Sequence, residues 1–129
     1  MNLNQPENNF VILKYRVVKK IAIPMVDCNL CDHFEEFQYF LIYNFENPAC
    51  IREDLKYPSY YEKEKLPEWL IDNGVTDIIV RGIDYTTIKL LNHKKIHVFV
   101  GVQKKNPEDL IRDYLKKNLD TDEQMCYYI

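Results

Sequence analysis

The chain has 129 residues, a hydrophobic fraction of 47% and a formal net charge of -3, values that fit one globular domain and exclude a chain disordered throughout. A globule of this length buries roughly 65–70% of the surface its unfolded chain would expose, so a core forms without disulfide staples. Its 17 basic and 20 acidic residues are interspersed without a basic stripe, which argues against nucleic-acid binding, and no apolar stretch reaches the length of a membrane span.

Residues 1–9 are polar and asparagine-rich, with neither a positive head nor an apolar core, so no secretory signal is expected and a cytoplasmic location is. In that compartment the four cysteines are expected to be thiols, available to metal. Phe10 to Val18 has strand composition and reads either as an added edge strand or as the beginning of the first strand. We treat residues 1–18 as an N-terminal extension, 19–119 as the domain and 120–129 as a tail.

Lys20-Ile21-Ala22-Ile23-Pro24 reads as a buried strand that stops at Pro24, because proline cannot donate to a ladder. The following loop presents Cys28, Cys31 and His33 within six residues, flanked by Asp27 and Asp32. Sulfur and imidazole at this spacing suit zinc, iron-sulfur or copper chemistry. A closed zinc site would need Asp27, Asp32, Cys50 or Cys126 as a fourth ligand. The plainer alternative is a pair of small buried cysteines with a histidine that fixes the loop.

Gln38 to Phe45 and Ala49 to Leu55, joined by Glu46-Asn47-Pro48, predict an antiparallel hairpin. Lys56 to Lys65 reads as a loop. Pro67 suits the start of a helix with Trp69 and Leu70 on its apolar side, and Gly74 suits its end. Asp77 to Arg81 is an apolar run typical of a strand covered on both faces, closed by Gly82. Asp84 is placed to cap a helix carrying Ile88 and Leu91.

Ile96 to Val100 predicts another buried strand. Asn106 then caps a helix with Pro107 at its first position and Leu110, Ile111, Tyr114, Leu115 and Leu119 as its inward stripe. The tail carries no predicted element. Alternating strands and helices imply parallel pairing, and the hairpin adds antiparallel strands at one edge, giving an α/β fold with a three-layer mixed β-sheet. Ligands in such sheets gather beyond the carboxyl ends of the parallel strands, here the loops after Pro24, Arg81 and Val100.

The series Lys20 to Pro24, His33-Phe34 before an aromatic strand ending Ile42-Tyr43, Leu66-Pro67-Glu68-Trp69-Leu70, Asn73 to Ile79 and Gly82-Ile83 resembles the dinitrogenase iron-molybdenum cofactor biosynthesis domain, the group of NifX, NafY and the C-terminal part of NifB. The resemblance implies a ribonuclease H-like motif in the sheet. It also implies a non-catalytic carrier or scaffold that binds an iron-sulfur or iron-molybdenum type cluster, exchanged with a donor or acceptor protein. The family histidine falls on His33 and the glycine loop on Gly82-Ile83. Glu35 and Asp84 stand where the family has glycine, and each adds a carboxylate near an anionic cluster.

On this reading His33, Cys28 and Cys31 are ligands, the Gly82 to Thr86 turn closes the site, and Arg81 is an electrostatic neighbour, unless it pairs with Asp84 or Asp27. A structural zinc is the alternative metal. An interaction or regulatory module that kept the fold without the cluster is the alternative function, with Tyr57 to Tyr61 as a partner surface. His93 and His97 read as solvated or structural. A two-metal nuclease using Asp27, Asp77 and Asp84 lacks a basic groove.

Overall fold

The computed structural model describes residues 19–47, 50–58 and 64–127, with side chains for all of these except 46–47 and 50–52. The expectations for Phe10 to Val18, and for Tyr60 and Tyr61, lie outside the described residues.

The centre of the molecule is β1 (Lys19–Val26). On one side it pairs antiparallel with β3 (Tyr39–Asn47), from Lys19↔Phe45 to Met25↔Tyr39. On the other it pairs parallel with β5 (Asp77–Ile79) through Ile21↔Asp77 and Ala22↔Ile78. β4 (Cys50–Lys56) completes the expected hairpin with β3, and β7 (His97–Phe99) pairs parallel with β5. The order β4-β3-β1-β5-β7, with the two-residue β2 (Asn29–Leu30) also on β1, makes a mixed six-stranded sheet.

Because successive strand side chains alternate between faces, β1 feeds two cores at once. Ala22 joins Phe40, Ile42 and Ile78 under α1 (Leu66–Asp72) and α2 (Tyr85–His93), through Leu66, Leu70 and Leu91. Ile21, Ile23 and Met25 join Leu41 and Ile79 under α3 (Pro107–Leu115), through Leu110 and Ile111. Helices on both faces give the expected three layers. Gly74 ends α1 at φ 79°, a conformation that glycine adopts without a Cβ clash.

The structure corrects several expectations. β1 does not stop at Pro24 but runs on to Val26. Pairing to β5 has ended at Ala22, and on that side Pro24 uses only its carbonyl, which accepts from the Cys31 N–H at 3.1 Å, so the missing donor costs no ladder bond. Asn106 stands before α3 without a side-chain capping bond, and Leu115 is 48% exposed, so the residues of the expected stripe that pack inward are Leu110, Ile111, Tyr114 and, beyond the helix end, Leu119. β7 lies at the sheet edge with His97 exposed instead of fully buried.

The tail also has structure. After a 3-10 turn at Glu123–Met125, β8 (Cys126–Tyr127) pairs parallel with β6 (Ile83–Asp84), and Met125 and Cys126 pack on the α1–α2 core. Among the described residues no helix is long and apolar enough to cross a membrane.

Candidate functional site

The loop between β1 and β3 opens with a two-residue hairpin turn. Asp27 and Cys28 have φ of 49° and 66°, the left-handed pair that a type I′ turn requires. Asp27 is held by its turn: its N–H donates to Gln38 Oε1 at 3.0 Å, and its carbonyl accepts from Asn29 Nδ2 at 3.0 Å. Cys28 is exposed at the tip and lines a groove of about 200 Å³ with Leu30, Lys104 and Pro107 on the α3 side of the sheet.

Cys31 is 1% exposed, and burial, followed by the charge of Glu36, pushes its thiol up to about 12. A thiol so placed keeps its proton at neutral pH and is a poor ligand where it stands.

His33 faces the other way. It precedes a 3-10 turn at Phe34–Glu36 whose Phe34 is buried in the α1–α2 core. The backbone of this segment is bound to Gly82 from the loop after β5: Gly82 N–H donates to Asp32 O at 2.9 Å, Phe34 N–H donates to Gly82 O at 2.8 Å, and His33 and Gly82 form a parallel bridge. Glycine is needed there, because a Cβ at Gly82 would stand 2.8 Å from Asp32 O and 3.1 Å from His33 Nδ1.

The three loops beyond the parallel strands converge on Asp32. Lys104 Nζ, from the loop after β7, lies 2.9 Å from Asp32 Oδ1 and also donates to Leu30 O, while Arg81 Nε lies 3.5 Å from the same carboxylate oxygen. The Lys104 hydrogen bond, reinforced by its charge, holds the Asp32 carboxyl below the ordinary carboxylate range. Arg81 also donates from Nη1 to Val102 O at 3.0 Å. Its acidic partner is therefore Asp32, where the sequence had suggested Asp84 or Asp27.

The carboxylates of Glu35 and Asp84, expected near the site, are both occupied. Asp84 is 2% exposed and caps α2, accepting from Thr87 N–H at 3.1 Å and from Thr87 Oγ1 at 2.5 Å. Glu35 accepts from the Tyr127 hydroxyl at 2.6 and 2.8 Å. The Tyr127 ring also stands edge-on to His33, with centroids 5.7 Å apart.

Cys28, Cys31 and His33 thus share one loop but not one focus, and among the described residues no three His, Cys, Asp or Glu side chains are grouped to hold a metal ion. Cys126 lines a separate groove with His97 and Tyr85, and the Cys50 side chain lies outside the described residues. The nuclease trio is likewise dispersed. Asp77 sits at the start of β5, 3.6 Å from Lys19 and 3.9 Å from His97, far along the strand from the rim that holds Gly82. His97 stacks on Phe99 at the sheet edge, in keeping with a structural role.

Sequence reasoning missed Lys104 and Tyr127. Lys104 sits in a plain polar loop, and the short Cys126-Tyr127-Tyr128-Ile129 run was the only hint of a strand in the tail.

A family model described as dinitrogenase iron-molybdenum cofactor matches residues 17–117. The crystal structure of PH0822 superposes with a TM-score of 0.73 at 24% identity, covering 82% of this chain and 96% of that one. The MJ0327 protein of Methanocaldococcus jannaschii gives 0.63 at 22% identity, covering 82% and 96%. The apo orange protein of Desulfovibrio gigas gives 0.64 at 10% identity, covering 81% and 92%. At these identities the likeness establishes the shared fold. No curated protein matches the chain.

Proposed function

Because this chain belongs to the dinitrogenase iron-molybdenum cofactor family, we propose that it carries an anionic iron-sulfur or iron-molybdenum type cluster as cargo, without catalysing a reaction. The observation that carries the reading is the bridge between His33 and Gly82, which brings the two family motifs, far apart in sequence, to one rim of the sheet. The exposed His33 imidazole is the direct ligand, and Gly82 fixes the loop against which it stands.

Arg81 and Lys104 supply positive charge beside that rim. Cys28 and Cys31 serve as further ligands only when the 26–31 hairpin rearranges, because Cys31 must leave the core and lose a proton before it binds metal. The partners are the proteins that deliver and receive the cluster, and the place of action is the cytoplasm.

Anaerobic reconstitution with iron and sulfide, followed by metal analysis and absorption spectra, tests this. Wild type is expected to retain metal, His33→Ala to lose most of it, and a Cys28→Ala, Cys31→Ala double variant to lose part. Equal metal in wild type and in a Cys28→Ala, Cys31→Ala, His33→Ala triple variant would overturn the carrier reading.

A second reading is favoured by Glu35, whose carboxylate stands at the rim where an anion would arrive: a metal-free interaction module on the same fold. Recovery of a specific partner by metal-free protein, with no retention of iron, would select it.

A further inference from the structure

The matched family region ends at residue 117, yet the chain continues into a segment that returns to the His33–Gly82 rim. Its course is fixed by backbone contacts. Asp122 N–H donates to Val100 O at 2.9 Å, and Gly101, at φ 77°, lets the Asp122 carbonyl approach to 2.1 Å from where a Cβ would stand. Beyond the turn, Ile83↔Cys126 and Asp84↔Tyr127 form the ladder with β6.

Tyr127 therefore stands over the rim. Its Cε1 lies 3.6 Å from the position of a Cβ on Gly82, its ring edge meets His33, and its hydroxyl bridges both oxygens of Glu35. Any body seated on Gly82 beside His33 meets this ring first. It also meets the Glu35 carboxylate, which the hydroxyl tethers beside the rim and which repels an anion.

We propose that residues 118–127 form a latch across the His33–Gly82 rim, closed by the Tyr127–Glu35 hydrogen bond, and that an anionic cargo binds there when the latch swings away. The admission step rests on the function proposed above; the closure does not. A two-residue ladder with half-buried side chains opens at far lower free energy than the core strands, so the segment is suited to this movement.

A cargo that binds the open state must shift the population toward it, and the tail reports that shift. Hydrogen exchange of the 120–127 segment is measured in wild type, Tyr127→Phe and Glu35→Gln, with and without tetrathiomolybdate as the anionic probe. Both variants are expected to accelerate tail exchange roughly fivefold, as loss of one exposed hydrogen bond of ordinary strength implies, while β1 and β3 exchange as before. The probe is expected to accelerate tail exchange in wild type.

Unchanged tail exchange in both variants overturns the latch, and so does a probe that binds while the tail exchanges no faster. Faster exchange in the variants without probe binding to any of the three proteins retains the closure and counts instead against the cargo.

Discussion

The Gly82 amide donates to the Asp32 carbonyl at 2.9 Å, and a methyl group on Gly82 would stand 2.8 Å from that same oxygen. The loops after β1 and β5 are thus joined at a distance that only a residue without a side chain permits. Gly82→Ala is expected to lower stability by about 1–3 kcal/mol, since backbone must move to relieve the contact. Urea unfolding measures it, and a change within about 0.5 kcal/mol would show that the loops yield freely.

Cys28 takes a left-handed conformation that disfavours any residue with a Cβ. Cys28→Gly relieves that strain at some loss of chain entropy, so it is expected to raise stability by up to about 1 kcal/mol. A lower melting temperature would mean that the thiol makes a contact worth more than the strain.

The Cys31 thiol, pushed up to about 12 by burial, sets an alkaline dependence. In the unfolded chain the thiol ionises near its ordinary value, whereas in the folded chain it keeps its proton. Its contribution is therefore whole below the ordinary thiol range and is lost as pH rises toward 12, with a slope of at most about 1.4 kcal/mol per pH unit. Stability measured from pH 8 to 11 is expected to fall less steeply for Cys31→Ala than for wild type. Parallel curves would place the alkaline loss on other groups, such as the Tyr43 and Tyr127 hydroxyls that burial also raises.

Asp32 occupies the two cations that an anionic cargo would use. Asp32→Asn keeps the size of the side chain and frees their charge, so tetrathiomolybdate is expected to bind several-fold more tightly, with the gain shrinking as salt rises. Lys104→Ala is expected to weaken binding. Titrations at two ionic strengths read both effects, and equal affinity in all three proteins would remove Asp32 and its partners from the site.

Most of the sheet was legible because hydrophobic period and glycine placement agreed for β1, the β3–β4 hairpin and the helices around Leu70, Leu91 and Leu110. Pro24 misled because proline forbids a donor on one side only, and which side lacks a neighbour is a tertiary fact. Asp84 was legible as a cap from its position, while the second bond it accepts, from the Thr87 hydroxyl, shows only in the folded chain. The rim itself was half visible: His33 and Gly82 stood out by residue type, but Lys104 and Tyr127 reach it through folding across 72 and 92 positions of sequence, and no local pattern encodes that return.

The central strand has consequences for how the chain finds its alignment. With both faces of β1 covered, polarity gives no signal that distinguishes the correct pairing from one shifted by a single residue. What differs between the faces is bulk, since Ala22 lies under α1 and α2 while Ile21, Ile23 and Met25 lie under α3. A shifted strand would force isoleucine into the space shaped for a methyl group, so the smallest side chain of the central strand acts as the gauge by which the two halves of the molecule are set in step.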